Sequence, residues 1–313
     1  MLDTIGKTRL VPLREIVPEG CARILVKLEY ENPTGSMKDR MALAMVEAAE
    51  KDGRLRPGGS VVEYTGGSTG VSLAFVCAAK RIPLQIVTSD AFSREKRDHM
   101  AALGAELTLV ASPGGGMTRE LTLEMIETAR RLASAPGSCF TDQLNNTDQL
   151  AAYERMGAEL WEQTGGRISA FVQSVGTAGS IRGIAHSLRA HDKGVRIVAV
   201  EPEESAVLSG RPSGSHKIEG IGAGFVVPLW SAAIADEIQT ISTGEAMATA
   251  RLLARREGLF AGTSTGANVA VALRIAQRLG REHTVVTVAV DSGMKYLSTM
   301  LYAGAGGDDP DGP

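Results

Sequence analysis

Apolar positions along the chain fall into two kinds of segment that alternate. Short runs, nearly continuous in Val, Ile and Leu, occupy 60–64, 84–90, 106–112, 170–176, 196–202 and 284–290. Such runs are typical of parallel strands that are buried on both faces. Longer segments with helical patterns occupy 39–50, 70–81, 94–104, 117–134, 180–191, 244–257 and 266–279. In 117–134, the spacing of Leu121, Ile126 and Leu132 forms one apolar stripe of a helix.

The alternation of strands and helices sets the predicted fold class. It favours an α/β fold with two doubly wound, mainly parallel sheets and helices on both faces. The 313 residues are enough for two lobes that each bury a core. The final segment, 304–313, consists mostly of Gly, Pro and Asp and is predicted to be a disordered tail.

Charge and composition exclude several classes of protein. A net charge of −3 argues against a general nucleic-acid binder, which needs a basic surplus to neutralise phosphates. No segment has the roughly 18 apolar residues of a membrane span, and the N-terminus has no signal-peptide pattern. The cysteines at 21, 77 and 139 are far apart and are predicted to be reduced thiols, so no metal site is expected. These features predict a cytoplasmic protein.

Glycines cluster where the predicted strands end. Four loops stand out: YTGGSTGVS (64–72), SVGTAGSIRG (174–183), EGIGAGF (219–225) and AGTSTGAN (261–268). Glycine and hydroxyl residues at a strand-to-helix turn point several backbone N–H groups at one place, which makes an anion site. An ordinary tight turn is the alternative for each loop. Because no P-loop and no correctly placed GxGxxG occurs, a phosphate on a cofactor other than a nucleotide is favoured.

Lys38 lies in ENPTGSMKDR, directly after a turn-rich stretch and at the start of a predicted helix. Pyridoxal phosphate needs an amine for its aldehyde and an anion site for its phosphate. Lys38 and the GTAGS loop could supply both. A cation is unfavourable at a helix N-terminus, which favours a neutral, reactive amine. A solvated lysine at a helix start is the alternative interpretation.

Eight stretches resemble the fold-type II pyridoxal-phosphate enzymes, in particular the cysteine synthase and cystathionine β-synthase family. They are in the family's order and run from residue 6 to about 300: NPTGSMKDR, EYTGGSTGVSLA, ALGAEL, VGTAGSIRG, VEP, KIEGIGAGFV, EGLFAGTSTGANVAVAL and DSGMKYLST. The resemblance implies the tryptophan synthase β-subunit-like fold and a homodimer. It also implies a large cofactor-binding domain (1–39 and 147–303) and a smaller mobile domain (40–146) that closes over the substrate.

The resemblance also implies roles for residues around the cofactor, pyridoxal 5'-phosphate. Lys38 would form the Schiff base and then act as the base at the substrate Cα. The phosphate would be held by backbone N–H groups and two hydroxyls of Gly176, Thr177, Ala178, Gly179 and Ser180.

For the pyridine nitrogen, the resemblance selects Ser292. In an extended segment Asp291 and Ser292 point to opposite sides, so only one of them can face the ring. A hydroxyl leaves the nitrogen largely neutral, which limits carbanion build-up and suits departure of a Cβ leaving group. A carboxylate would keep the nitrogen protonated, so an inward Asp291 would weaken this argument.

The substrate carboxylate is expected on the loop after the first strand of the smaller domain. The resemblance implies contacts from the loop and from two residues elsewhere, namely Thr65, Gly66, Gly67, Thr69, Gln143 and Gly222. A loop glutamine that bonds its own backbone is the alternative for Gln143. The family loop reads Thr-Ser-Gly-Asn-Thr-Gly, whereas this chain has Gly66 and Ser68 in place of the serine and asparagine. Ser68 would take over the asparagine's cofactor contact, with a hydrogen bond of roughly 1 kcal/mol at stake at each position.

The expected activity is β-replacement on an activated L-serine such as O-acetylserine. Elimination would give an aminoacrylate, to which sulfide or another nucleophile adds, yielding cysteine or a β-substituted alanine. The altered TGGST loop leaves β-elimination open, as in a serine or threonine dehydratase or a cysteine desulfhydrase. A non-catalytic binding protein and, more distantly, a nucleotide-dependent oxidoreductase are alternatives from other classes. The predicted partners are small molecules, with no nucleic acid and no membrane.

Overall fold

The structure is a computed structural model that describes residues 1–112 and 118–303. The predicted disordered tail, 304–313, lies outside the described residues, as does residue 117 at the start of a predicted helix. Within the described part, no helix combines the length and apolarity needed to cross a membrane. The predicted α/β fold with two mainly parallel sheets is confirmed.

The first sheet combines strands from both ends of the chain, in the order β1-β2-β10-β7-β8-β9. Its strands are Leu10–Pro12 (β1), Arg23–Leu28 (β2), Ala170–Ser174 (β7), Arg196–Pro202 (β8), Glu237–Ile241 (β9) and Thr284–Ala289 (β10). Only the short edge strand β1 pairs antiparallel; the other pairings are parallel. The carboxyl ends of β7 and β10 therefore meet at one edge, which is where ligands bind in such sheets.

The second sheet uses only residues from the segment between β2 and β7. Its order is β5-β4-β3-β6, and all its pairings are parallel. The strands are Ser60–Tyr64 (β3), Leu84–Ser89 (β4), Glu106–Val110 (β5) and Ser138–Phe140 (β6). This division agrees with the expected two-domain layout, although the domain boundaries themselves stay a prediction.

Helices connect the strands and cover the sheets. They run over Lys38–Asp52 (α1), Ser68–Lys80 (α2), Arg94–Ala102 (α3), Arg119–Ala133 (α4), Gln149–Gln163 (α5), Gly179–His191 (α6), Thr243–Leu252 (α7) and Thr263–Leu279 (α8). The helix predicted over 244–257 is α-helical only over Thr243–Leu252. A π-helical turn over Leu253–Glu257 continues it to Gly258, which has a left-handed backbone conformation. Three helices, α2, α6 and α8, begin at the glycine loops singled out in the sequence.

The sequence patterns missed β1, β2, β6, β9 and α5. β6 and β1 are only three residues long, and β9 is a half-buried edge strand with polar residues at alternate positions. β2 carries Lys27, a charged residue that is nevertheless fully buried. Its ammonium lies 2.7 Å from the carboxylate of Glu159, a residue far away in the sequence. This ion pair allows a charged residue to be buried inside the sheet.

A buried cluster of ion pairs joins α1 to Glu29, which follows β2, and to Glu159 in α5. The Arg40 guanidinium donates two hydrogen bonds of 2.8 Å to Glu29, which is 0% exposed, and bonds of 2.7 and 2.8 Å to Glu159. Burial raises the pKa of Glu159, but the hydrogen bonds and charges of Arg40 and Lys27 outweigh it and bring the pKa to about 2. The cluster thus holds the Glu159 carboxylate ionised within the protein.

The cluster predicts a large loss of stability when its central cation is removed. Arg40→Ala would leave Glu29 buried without a counter-ion, and we expect it to lower the free energy of unfolding by about 3–5 kcal/mol. Urea denaturation followed by circular dichroism measures the loss. Arg54→Ala is the matched control, because Arg54 pairs with Asp52 and Asp148 at the surface, where such pairs contribute about 1 kcal/mol or less. Equal losses for both variants would contradict the prediction.

Candidate active site

A single large cavity brings most of the predicted site residues together, at the carboxyl ends of strands from both sheets. β3 ends at the loop 65–69, β7 ends at the loop 176–180, and β10 leads into Asp291. Of the residues predicted from the sequence, those lining the cavity are Lys38, Thr65, Gly66, Gly67, Ser68, Thr69, Gln143, Gly176, Thr177, Ser180 and Gly222. Ala178, Gly179 and Ser292 are not in its wall.

Lys38 is the first residue of α1 and places its amine in this cavity. Its Nζ has no hydrogen bond or ion pair with any residue in the described part of the chain. Burial lowers the pKa of Lys38 to about 8, and the charge of Asp291 opposes part of that decrease. A fraction of the amine is therefore neutral near physiological pH, as a nucleophilic lysine requires.

The loop 176–180 presents N–H groups to the same cavity. Ala178 has a φ of +67°, which is uncommon for a residue with a side chain, and it directly precedes α6. Within the described chain, the N–H groups of 177–180 have no acceptor. A Cβ on Gly176 would overlap the Gly220 carbonyl oxygen, and one on Gly179 would overlap the Gln149 side chain. The loop is thus a compact set of free donors at a helix N-terminus, which suits an anion.

A second set of free donors lies at the start of α2. Thr65 Oγ1 accepts hydrogen bonds from the N–H groups of Gly67 and Gly70, at 3.0 and 3.3 Å, and so closes the turn. The N–H groups of Ser68 and Thr69 have no acceptor in the described part of the chain. They point along the first turn of α2, where the helix dipole favours a carboxylate.

Gln143 holds this loop rather than bonding its own backbone. Its Nε2 donates to the Tyr64 carbonyl at 2.7 Å, and its Oε1 accepts from the Thr69 hydroxyl at 2.8 Å. Its own N–H donates to the buried Glu63 carboxylate at 3.0 Å. Both ends of the amide are therefore engaged with the loop, and Gln143 fixes where the start of α2 lies. A direct contact with substrate stays a prediction.

Asp291, not Ser292, turns into the cavity. The Ser292 side chain faces the other way, because Ser292 Oγ accepts from the Met294 N–H and its Cβ lies against Gly35. The Ser292 contact predicted for the pyridine nitrogen is therefore not supported by this geometry. A hydroxyl that does line the cavity belongs to Ser264, which is buried in the first turn of α8. The sequence had marked this loop, AGTSTGAN, without assigning it a role.

The Asp291 carboxylate is 3% exposed and only partly bonded. Its Oδ2 accepts hydrogen bonds from Ser68 Oγ at 3.0 Å and from the Tyr296 hydroxyl at 2.8 Å. Its Oδ1 is buried without a partner among the described residues. Ser68 thus directs its hydroxyl to Asp291, whereas the sequence predicted a contact with the cofactor. Asp291 therefore keeps one unbonded oxygen in the wall of the cavity that also holds the Lys38 amine.

Gly222 belongs to a loop whose backbone is hydrogen-bonded by the His216 ring. Gly222 has a φ of +63°, and a Cβ there would approach both His216 Nε2 and Pro202 Cγ to 2.7 Å. His216 Nε2 donates to the Gly222 carbonyl at 3.0 Å, while Nδ1 accepts from the Ile218 N–H at 3.3 Å. Both ring nitrogens are used by the loop backbone. Close backbone approach at Gly222 was predicted from the sequence, but the role of His216 was not.

The residues present fit pyridoxal phosphate. The fit rests on the unbonded Lys38 amine, the free N–H groups of 177–180 for a phosphate, and cavity walls whose glycines leave no room for side chains. The sequence did not single out four further residues of the cavity wall: Phe92, Lys96, Glu219 and Tyr296. Phe92 and Lys96 come from the turn before α3 and from α3, which no local motif marks. Glu219 and Tyr296 lie in the stretches KIEGIGAGFV and DSGMKYLST, where neither was assigned a role from the sequence.

Comparisons with known proteins indicate one enzyme family. A family model described as pyridoxal-phosphate dependent enzyme matches residues 1–291. A cysteine synthase of Staphylococcus aureus (strain Mu50) is 42% identical over 301 residues, covering 96% of this chain and 95% of that protein.

Solved structures of similar proteins have the same fold over nearly the whole chain. The crystal structure of a cysteine synthase from Entamoeba histolytica has a TM-score of 0.90 and 37% identity, covering 98% of this chain and 91% of that one. An O-ureido-L-serine synthase has a TM-score of 0.89 and 36% identity, covering 99% and 96%. The chain therefore belongs to the fold-type II pyridoxal-phosphate dependent enzymes, in the cysteine synthase and cystathionine β-synthase family.

Proposed function

We propose that the protein replaces the β-substituent of an activated L-serine, such as O-acetyl-L-serine, with sulfide or another small nucleophile, yielding cysteine or a β-substituted alanine. One observation carries the proposal. A single cavity combines the unbonded Lys38 amine, the adjacent Asp291 carboxylate and two separate sets of free N–H groups. Similarity to a cysteine synthase and to an O-ureido-L-serine synthase supports the same reaction class.

The two sets of N–H donors would bind different groups, one the cofactor and the other the substrate. The loop 176–180, with the hydroxyls of Thr177 and Ser180, would hold the phosphate of the cofactor; the Ser180 hydroxyl already accepts from Gln173 Nε2 at 2.8 Å and so keeps its own proton to donate. The N–H groups of Ser68 and Thr69 would hold the substrate carboxylate. When bound, pyridoxal phosphate supplies an electron sink that eases loss of the Cα proton and of the Cβ leaving group.

Lys38 and Asp291 would manage the proton at the substrate Cα. The Lys38 amine, with its pKa lowered to about 8 by burial, can accept a proton as a neutral base. Asp291 then stabilises the resulting ammonium, since Tyr296 and Ser68 bond its Oδ2 and leave Oδ1 unbonded. For the pyridine nitrogen we assign the hydroxyl of Ser264, which lines the cavity. The inward Asp291 weakens the argument made from the sequence for a neutral nitrogen, so this assignment rests on the position of Ser264 alone.

β-Elimination without replacement is the second candidate, and one feature of the loop favours it. Gly66 has no side chain, and the Ser68 hydroxyl is already bonded to Asp291. The Thr69 hydroxyl donates to Gln143 Oε1, so this loop offers the substrate mainly backbone groups, with fewer side-chain donors than the family loop. Weaker retention of the substrate would favour release before a nucleophile adds.

The proposal includes a homodimer in the cytoplasm. Three apolar side chains near the described C-terminal end, Met294, Leu297 and Met300, are about half exposed or more and offer surface that a second copy would cover. The three cysteines are free, and Cys77 and Cys139 are buried, which suits a reducing compartment.

The reaction itself can be tested directly. Cofactor-loaded protein mixed with O-acetyl-L-serine and sulfide is expected to form cysteine, with pyruvate as a minor product, measured by chromatography. Lys38→Ala should lower the rate by roughly 10³-fold or more, since the amine is both attachment point and base. Lys80→Ala, which removes a surface pair with Glu50, should retain the activity. Pyruvate as the main product in the presence of sulfide would instead support elimination.

The pairing of Lys38 with Asp291 predicts a change in proton affinity. A carboxylate stabilises the ammonium form, so Asp291→Asn should lower the pKa of Lys38 below about 8. The rate of Lys38 acetylation by acetic anhydride in the apoprotein, measured against pH by peptide mass spectrometry, reports this pKa. Ser68→Ala is the matched control, because it removes a hydrogen bond to the carboxylate but keeps its charge. An unchanged Lys38 profile in Asp291→Asn would show that the carboxylate does not act on this amine.

A further inference from the structure

Two adjacent glycines of the substrate loop, Gly66 and Gly67, leave room for side chains that pack against them. A Cβ on Gly66 would lie 2.7 Å from Phe92 Cε1. A Cβ on Gly67 would overlap Lys96 Cδ, and the φ of +140° at Gly67 independently disfavours a side chain. The stem of Lys96 therefore lies directly on the loop that is proposed to bind the substrate carboxylate, and Gly67 provides the space for it, while Gly66 makes room for Phe92.

This packing places the buried Lys96 side chain in the wall of the substrate cavity. Lys96 is 3% exposed and lines the cavity. Its Nζ lies 2.6 Å from the Glu219 carboxylate and 4.2 Å from the centroid of the Tyr296 ring. A buried ammonium needs a counter-ion, and the ring face adds cation–π attraction. In the structure, Glu219 supplies that counter-ion.

The side chains of Lys96 and Glu219 differ in how far they can move. The stem of Lys96 packs on Gly67 and its ammonium lies over the Tyr296 ring, so the side chain is 3% exposed and held in the cavity wall. The Glu219 side chain is 24% exposed and extends from the loop 218–222 at the cavity wall. Its backbone is anchored separately, by a hydrogen bond from the Glu219 N–H to Thr263 Oγ1 at 3.1 Å. Glu219 can therefore turn into solvent more readily than Lys96 can.

We propose that Lys96 is a specificity-determining residue that binds an anionic group on the β-substituent of the amino-acid donor. Glu219 is the internal counter-ion that this group replaces. The inference rests on the proposed function, because it assumes that the α-carboxylate of the donor binds at the start of α2. From there the β-substituent extends along the wall formed by Lys96, so a carboxylate or a phosphate on it meets a cation already fixed in place.

A matched pair of unreactive ligands tests the proposal. S-methyl-L-cysteine and S-carboxymethyl-L-cysteine differ by one carboxylate on the β-substituent, and both are poor substrates for elimination. Their dissociation constants follow from absorbance titration of the cofactor-loaded protein. We expect S-carboxymethyl-L-cysteine to bind about tenfold more tightly, the difference that one charged hydrogen bond provides.

Three variants separate the proposal from a purely structural ion pair. Lys96→Gln should abolish the preference for the carboxymethyl ligand, whereas Glu219→Gln should increase it by removing the competing carboxylate. Arg94→Gln is the control, since Arg94 lies on the same helix with its charge in solvent, and it should leave the preference unchanged. The opposite signs expected for Lys96 and Glu219 keep the test decisive if one variant folds poorly.

Two results would overturn the proposal. One is an unchanged preference in Lys96→Gln; the other is a loss of preference in Glu219→Gln equal to that in Lys96→Gln. Neither result bears on the reaction class, which is judged separately from cysteine formation with the neutral donor O-acetyl-L-serine. Turnover of O-phospho-L-serine compared with O-acetyl-L-serine then distinguishes a phosphate from a carboxylate as the group that Lys96 accepts.

Discussion

The site depends on one helix whose first turn sends two basic side chains in different directions. Lys38 and Arg40 are two residues apart at the start of α1, so their side chains leave the helix about 200° apart. Arg40 enters the ion cluster with Glu29 and Glu159, and Lys38 enters the cavity near Asp291. The strongly bonded guanidinium fixes the helix, which allows the neighbouring amine to stay unbonded and available. Rigidity on one side of α1 thus supports reactivity on the other.

Three polar contacts that connect α2 and α3 to loops of the first sheet lie at or beside the cavity. Ser68 bonds Asp291, Lys96 pairs with Glu219, and the Glu95 carboxylate accepts from both the N–H and the hydroxyl of Ser298 at 2.7 Å. Each contact joins the start of α2 or α3 to a loop that follows a strand of the first sheet. The groups that make these contacts also line or flank the cavity, so the position of α2 and α3 relative to these loops sets the shape of the site.

Much of the fold and part of the site could be predicted from the sequence. Parallel strands buried on both faces give continuous apolar runs, and glycine loops at their ends mark the free N–H groups, so β3, β7 and the loops that follow were predictable. Lys38 was identified by its local setting. The orientation of Asp291 was not predictable, because backbone bridges from Ser36 to Asp291 and from Ala261 to Ser292 set which side chain turns inward. Lys27 and Lys96 were missed because distant carboxylates justify their burial.

The contact between Gly67 and Lys96 also limits how the sequence can change over time. No side chain fits at position 67 while the lysine stem occupies that space, so a gain of any larger residue there must follow a shortening at position 96. Conversely, losing the lysine first leaves a void that the glycine cannot fill. The two positions are therefore epistatic, and one order of mutation passes through a steric clash while the other passes through a cavity.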